Sequence, residues 1–225
     1  MLRWLPENVS TYGADIDAAF ALIYYIVGFW FLLTWGVLLC FVLRYRRRAG
    51  RRAAYVQGER LREAAWILVP AFIVTLLDLG IDVSGAKVWE KVKGPMPPGE
   101  VSVRVTSKQF NWEILYPGPD GQFGTADDLL LENELHVPVH KVVRVTLTST
   151  DVIHSFFLPH VRLKQDAVPG REIPVWFEAT KPGRYEIPCA ELCGFGHSGM
   201  KGHLTVHSAE AYQHWVKATW PTRQD

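Results

Sequence analysis

The stretch Cys189–Met200, CAELCGFGHSGM, gathers four soft or borderline metal ligands in one short segment: Cys189, Cys193, His197 and Met200. Magnesium and calcium prefer oxygen ligands, whereas thiolates and thioethers stabilise Cu(I) and imidazole tolerates both copper redox states. Three glycines interrupt the stretch, and they favour a curled loop over a helix. The ligand types therefore favour a copper site held on one loop.

Three other interpretations are open from this stretch alone. Cys189 and Cys193 could form a disulfide, which an extracytoplasmic domain would permit. The four residues could hold zinc, although structural zinc sites use Cys and His rather than Met. They could also be independent core residues. The third cysteine, Cys40, lies in an apolar run and is expected to be a buried small hydrophobic residue.

The charge of the chain is strongly segregated. Its 225 residues carry a formal net charge of only +1, which argues against nucleic acid as a partner. Residues 18–43 form an apolar run without charge, and about 20 apolar residues suffice to span a bilayer. A second apolar run, 64–79, contains Pro70 and Asp78, which membrane helices can accommodate. Residues 44–62 hold eight arginines and one acid.

These patterns predict a transmembrane hairpin over 18–83. It consists of a helix at 18–43, a basic loop at 44–62 and a helix at 63–83. The positive-inside rule places the basic loop in the cytoplasm. An exposed tail at 1–17 and everything after Val83 should then be extracytoplasmic, including both termini.

The rest of the chain predicts an all-β domain. After a linker at 84–99, residues 100–207 contain short alternating or aromatic strands separated by Pro and Gly turns, which is typical of a Greek-key sandwich or barrel. Residues 208–225 form a C-terminal helix and tail, with Ser208 as the N-cap.

An acidic segment interrupts the predicted strands. Residues 113–134 contain six acids and no Lys or Arg. The segment could be a solvated turn, or a docking face that steers a basic protein and that Asp166 could extend. Its loop Pro117–Asp128 could also bind calcium, although its spacing does not match the EF-hand pattern. The sequence leaves these alternatives open.

The motif DVIHSFFLPHVRLKQDAVPGR at 151–171, followed by CAELCGFGHSGM, resembles subunit II of the haem–copper cytochrome c oxidases. The resemblance covers about residues 18–215. It implies a cupredoxin-like domain with a dinuclear copper A centre, in which two thiolates bridge both coppers and each histidine binds one copper. The implied copper ligands are His154, Cys189, the backbone carbonyl of Glu191, Cys193, His197 and Met200.

The resemblance also implies partners. The chain would accept electrons from cytochrome c or a similar donor, and it would pass them to haem in catalytic subunit I of a proton-pumping oxidase, with subunit III beside it. The Glu191 side chain would reach a magnesium ion shared with the catalytic subunit. Glu63, in LREAAWILVP, would lie at the mouth of a proton path. The expected location is the plasma membrane, with the copper domain in the periplasm.

One aromatic position departs from the family pattern. Phe110 stands where much of the family has the Trp through which electrons arrive, whereas Trp112 keeps its place. Phe110 and Trp112 are therefore expected on the electron-uptake path, although the donor could differ. Two alternatives remain: a copper A subunit of a nitric oxide or nitrous oxide reductase, and a copper-delivery or copper-sensing protein.

Overall fold

The computed structural model describes residues 4–52, 55 and 57–220. Within them the chain divides into two compact units, one of residues 15–89 and one of residues 4–14 with 90–220. Parts of the predicted tail (residues 1–3), basic loop (residues 53, 54 and 56) and C-terminal segment (residues 221–225) lie outside the described residues.

The first unit is built from two long apolar helices, α1 (Gly13–Arg44) and α2 (Leu61–Lys93). Each is long and apolar enough to cross a membrane, and the most apolar part of each is exposed along its whole length. The predicted pair of apolar helices is confirmed. Cys40 is exposed on α1 rather than buried, because the apolar surface of this helix faces outward.

Helix α2 continues ten residues beyond its predicted end at 83, so most of the expected linker is helical. The apolar run ends near 83, but Ser84–Lys93 contains no proline and includes several good helix formers. Hydrophobicity therefore marks the membrane segment, whereas Gly94 and Pro95 mark the end of the helix.

The segment before α1 is not the exposed tail that we expected. Val9 and Tyr12 are fully buried in the second unit. Ser10 forms a β-bridge with Ala179, and the N–H of Val9 donates to the carbonyl of His160. The apolar side chains of this polar-looking segment complete the core of the β domain.

The second unit contains ten strands. They are β1 (Val101–Lys108), β2 (Asn111–Tyr116), β3 (Leu129–Glu132), β4 (Glu134–Pro138), β5 (Val142–Ser149), β6 (His154–Leu158), β7 (Leu163–Ala167), β8 (Ile173–Glu178), β9 (Gly183–Pro188) and β10 (Lys201–His207). A five-stranded sheet has the order β3-β2-β1-β5-β8, a three-stranded sheet the order β4-β10-β9, and β6 and β7 form a hairpin.

Alternating burial shows how the two faces of these strands differ. Every second residue of β1, β2 and β5 is buried, as period-2 strands with one core face require. The fully buried core residues include Trp112 on β2, Leu147 on β5, Leu135 on β4 and Phe177 on β8. The all-β, cupredoxin-like prediction is confirmed. Strands β6 and β7 were not predicted, because four of the five residues of β6 are buried and its sequence does not alternate.

The described chain ends in helix α3 (Ala209–Thr219). Its predicted N-cap is correct, because the Ser208 hydroxyl accepts a hydrogen bond from the N–H of Ala211 at 3.2 Å.

Candidate metal centre

The predicted ligand loop connects β9 to β10, and backbone contacts hold it against β6. The N–H of Cys189 donates to the carbonyl of Met200 at 3.1 Å, which closes the loop at its base. The N–H of Ala190 donates to the carbonyl of Ser155 at 3.0 Å, next to His154. The loop and the first residue of β6 are therefore fixed to each other through the backbone.

All six predicted copper ligands come together at this point. The sulfur atoms of Cys189 and Cys193 are 3.9 Å apart. Nδ1 of His154 lies 4.0 Å from Sγ of Cys189 and 3.2 Å from Sδ of Met200. The two cysteines and Met200 belong to one loop, whereas His154 lies 35 residues before Cys189, so the fold brings it to the loop.

The remaining two donors complete the group. Nδ1 of His197 lies 3.6 Å from Sγ of Cys193. The carbonyl oxygen of Glu191 lies 3.3 Å from Sγ of Cys189. Both imidazoles thus present the same nitrogen, Nδ1, to the sulfur pair.

The sulfur geometry bears on the disulfide interpretation. A disulfide has an S–S length of about 2.05 Å, so the 3.9 Å separation leaves both thiols free. Burial, reinforced by the neighbouring thiol of Cys189, raises the pKa of Cys193 to about 11. A metal that binds here must displace that proton, since the thiolate is the ligand form.

The donor set fits copper better than the alternatives. Two thiols, a thioether and two imidazoles favour a soft metal, and structural zinc sites do not use methionine. Cys189, Cys193, His154 and Met200 are all buried. Independent core residues would have no reason to aim six donor atoms at one point, so a shared metal explains the arrangement.

Sequence reasoning missed Asp151, which orients one ligand. Its Oδ1 lies 2.8 Å from Nε2 of His154, and its Oδ2 accepts the N–H of Gln109 at 2.6 Å. Burial raises the pKa of Asp151, but hydrogen bonds from His154, Gln109 and Val152 outweigh it and lower this pKa to about 2. The carboxylate favours a proton on Nε2 of His154, which leaves Nδ1 for the metal.

The two predicted electron-uptake residues lie at different depths. Phe110 is 38% exposed, and its ring covers the ligand loop so closely that a Cβ at Gly196 would clash with it. Trp112 is fully buried, with its ring centroid 6.1 Å from that of His154. Gln109 joins this region to the loop, because its Nε2 donates to the carbonyl of Cys193 at 2.7 Å.

The side chains of the other predicted residues lie outside the donor cluster. Glu191 is exposed, and so are its loop neighbours Leu192 and Phe195. Glu63 lies in the first turn of α2, in the helical unit. In the acidic loop, the Thr125 hydroxyl donates to Asp127 and the N–H of Gly124 donates to Asp128. These hydrogen bonds stabilise the turn without a metal ion. Calcium binding by this loop stays a prediction.

Known proteins resemble the chain over most of its length. A family model described as "Cytochrome C oxidase subunit II, periplasmic domain" matches residues 105–207. Cytochrome c oxidase subunit 2 of Thermostichus vulcanus is 32% identical over 264 residues, covering 94% of this chain and 77% of that protein. The alternative cytochrome c oxidase subunit 2 of Bradyrhizobium diazoefficiens is 29% identical over 236 residues, covering 95% and 83%.

A solved structure also resembles part of the chain. The periplasmic domain of subunit II of the cytochrome oxidase of Bradyrhizobium japonicum is 34% identical, covers 56% of this chain and 96% of that chain, and has a TM-score of 0.49. The identity to full-length relatives spans both the apolar helices and the β domain. The chain belongs to the cytochrome c oxidase subunit II family.

Proposed function

We propose that this chain is the electron-accepting subunit of an aerobic haem–copper oxidase. The observation that carries the proposal is the convergence of two thiols, two imidazole nitrogens, a thioether and a backbone carbonyl. The Cys189 and Cys193 thiolates and the imidazoles of His154 and His197 would hold the copper ions, and Met200 and the Glu191 carbonyl would be weaker ligands. Two copper ions held there would supply a centre that takes up and releases one electron at a time.

The protein contributes a fixed arrangement of donors. The base of the loop is closed by the hydrogen bond from Cys189 to Met200, and β6 holds His154 in a fully buried position. Because these backbone contacts do not depend on the charge of the site, the donor atoms would keep their places in both redox states. Small rearrangement favours rapid electron transfer, as in blue-copper sites.

The aromatic residues beside the loop define a route for the electron. We propose that a donor such as cytochrome c approaches the exposed edge of Phe110, which covers Gly194 and Gly196 of the loop. Acidic residues of 113–134 would steer a basic donor toward this domain. Two of them are already paired, Glu113 with Lys108 and Glu134 with Arg184, so the steering charge would come mainly from the rest.

The partners of the chain follow from the family resemblance. Electrons would pass to haem in catalytic subunit I, with subunit III in the same complex. The exposed Glu191 carboxylate is free to reach a magnesium ion at the boundary with subunit I, because only its backbone carbonyl faces the sulfur cluster. Glu63, in the first turn of α2, would lie at the mouth of a proton path. The copper domain and both termini would be periplasmic.

Metal content and electron paramagnetic resonance of the full-length chain test the copper assignment. We expect about two coppers per chain and one unpaired electron shared equally between them, because two thiolates can bridge two metals. Cys193→Ser should abolish the shared-spin signal, whereas the matched control Cys40→Ser, on α1, should leave it unchanged.

A different outcome would replace the proposal. One copper with a localised spin, or zinc in its place, would contradict a dinuclear centre. Copper that leaves the wild-type chain readily during purification would instead support a delivery or sensing role.

A further inference from the structure

Two histidines outside the donor cluster face each other on the outer surface of the three-stranded sheet. His136 lies on β4 and His207 on β10, and both are partly exposed. In the parallel pairing of these strands, His136 lies opposite Thr205 and His207 opposite Pro138, so the two histidines are diagonal neighbours. The residue before each histidine is buried, so the alternation of side chains along a strand puts both histidines on the face away from the core.

The spacing of the two rings suits a single metal ion. Nδ1 of His136 lies 2.9 Å from Nε2 of His207, and the two ring planes are inclined by only 20°. Zinc–imidazole bonds of about 2.0–2.1 Å put two ligand nitrogens about 2.9 Å apart at a bond angle of about 90°, and about 3.3 Å apart at the tetrahedral angle. The pair would therefore have to open by about 0.4 Å at most to hold such an ion.

Both imidazoles are in the protonation state that binds metal. Burial lowers the pKa of His136 and that of His207 below the ordinary value of about 6.5, so both rings are neutral at about pH 7. In the metal-free pair one ring donates its N–H to the other. A metal ion would replace that hydrogen bond, and the displaced proton can move to the other nitrogen of the same ring. Binding at neutral pH therefore requires no net loss of a proton.

The surroundings hold the pair in place and define its ligands. Trp215 of α3 stacks on His136, with ring centroids 4.8 Å apart, which restricts rotation of that imidazole. The neighbouring Glu134 carboxylate contacts Arg184 at 2.8 Å and Nδ1 of His203 at 3.4 Å. Because Glu134 and His203 contact each other, the protein ligands of the site are the two facing imidazoles, and water would fill the other positions.

We propose that His136 and His207 form a second metal site, which binds one zinc or copper(II) ion through two imidazoles. Imidazole suits these metals, whereas magnesium and calcium prefer oxygen ligands. The site is independent of the proposed electron-transfer centre, because it shares no residue with the loop before β10. An ion held here would join β4 to β10 beneath Trp215, and it would stabilise the folded domain by binding it in preference to the unfolded chain.

Zinc titration of the full-length chain, followed by calorimetry, tests this inference. The chain carries no histidine tag, and it is first loaded with copper, which fills the thiol cluster, and then freed of weakly held ions with a chelator. We expect one zinc ion per chain. His136→Gln and His207→Gln should each weaken zinc binding by at least about tenfold, since losing even a residue that only orients a ligand costs this much. His203→Gln, on the same face of β10, is the matched control and should keep the wild-type affinity.

Two results would overturn the inference. The first is wild-type zinc affinity in both His136→Gln and His207→Gln. The second is an equal loss of affinity in His203→Gln, because that would place the ion beside Glu134 instead. Circular dichroism shows whether each variant is folded.

Copper(II) used as a probe of the wild-type chain gives a test that needs no variant. After the thiol cluster is filled and weakly held ions are removed, further copper(II) should give an electron paramagnetic resonance signal from a single copper. This spin should couple to two imidazole nitrogens, because the two histidines supply the only protein ligands of the proposed site. Coupling to one nitrogen or to none would overturn the inference.

Discussion

Asp151 contacts one predicted copper ligand directly and the ligand loop through Gln109. It accepts hydrogen bonds from Nε2 of His154 and from the N–H of Gln109, with one oxygen for each. Gln109 in turn donates to the carbonyl of Cys193. A single carboxylate therefore connects ligands that belong to β6 and to the loop before β10. The low pKa of Asp151 keeps it ionised and able to accept both bonds.

Asp151→Asn should weaken copper binding by about 10- to 100-fold, the range found when hydrogen-bond partners of ligating histidines are removed. The amide nitrogen of Asn is a donor, so it would oppose either the N–H of Gln109 or Nε2–H of His154. Competition with a chelator of known affinity, followed by absorbance, measures the change. Glu172→Gln is the control, since Glu172 is exposed and pairs only with Arg104 among the described ion pairs. Unchanged copper affinity in Asp151→Asn would contradict the orienting role.

The sequence contained a signal for this residue, an acid three positions before His154. Asp151 could not be recognised as an orienting group without the fold. Its contact with His154 depends on where β6 begins and on which nitrogen of the imidazole faces the sulfur atoms. The cluster of Cys189, Cys193, His197 and Met200 was predictable, because the chemistry and spacing of these residues are unusual, whereas the Glu191 carbonyl was predicted only from the family resemblance. The position of Phe110 over the loop was not, since it depends on the close approach of two glycines to a distant turn.

At the level of secondary structure elements, helix α3 is attached to the β domain through a pair of histidines. Nδ1 of His136, on β4, lies 2.9 Å from Nε2 of His207, on β10. The Trp215 ring of α3 stacks on His136, with ring centroids 4.8 Å apart and an interplanar angle of 12°. One imidazole must donate and the other accept, so the contact requires that at least one ring be neutral.

The histidine pair predicts a loss of stability in acid. Burial lowers the pKa of His136 and of His207, and His207 lowers that of His136 further. The unfolded chain, with an ordinary pKa of about 6.5, therefore binds protons at a higher pH than the folded chain. The free energy of unfolding should be at its full value above about pH 6.5 and should fall as the pH decreases toward the folded pKa values.

Chemical denaturation at about pH 7.5 and 5.5 measures this change in the copper-loaded protein. The double variant His136→Gln, His207→Gln should lose the part of the pH dependence that the pair contributes. Glu134 opposes, and Arg184 reinforces, the lowering of the His136 pKa, and neither is changed. The same pH dependence in wild type and double variant would exclude the pair as its source.

Strands were predicted correctly where buried and exposed residues alternate along the sequence, and they were missed where both faces of the strand are buried. The end of helix α2 was missed because its apolar run ends before the helix does. Strands β1 and β5 alternate clearly, and both were anticipated. The β6–β7 hairpin was not, because the buried residues of β6 have no period of two. Burial of Val9 and Tyr12 depends on contacts more than 150 residues away, which no local pattern can indicate.

At the scale of the whole molecule, the proposed function requires the copper domain to face the donor side of the membrane. The arginine-rich segment between α1 and α2 favours a cytoplasmic location for that loop. Because α2 then crosses the membrane, the β domain that follows it would be periplasmic. The position of the basic loop thus determines the side of the membrane on which the copper domain lies, and therefore the side from which it would accept electrons.

Cysteine labelling in intact cells tests this orientation. In a Cys40→Ser background, Gln122→Cys, in the exposed acidic loop, should react with a membrane-impermeant maleimide, whereas Gln57→Cys, in the basic loop, should react only after the membrane is opened. Both positions are exposed, so burial does not explain a difference in labelling. The same background without an added cysteine corrects for reaction of Cys189 and Cys193. Labelling of Gln57→Cys in intact cells would show that the orientation is the reverse of the predicted one. In that orientation the copper domain could not accept electrons from a periplasmic donor.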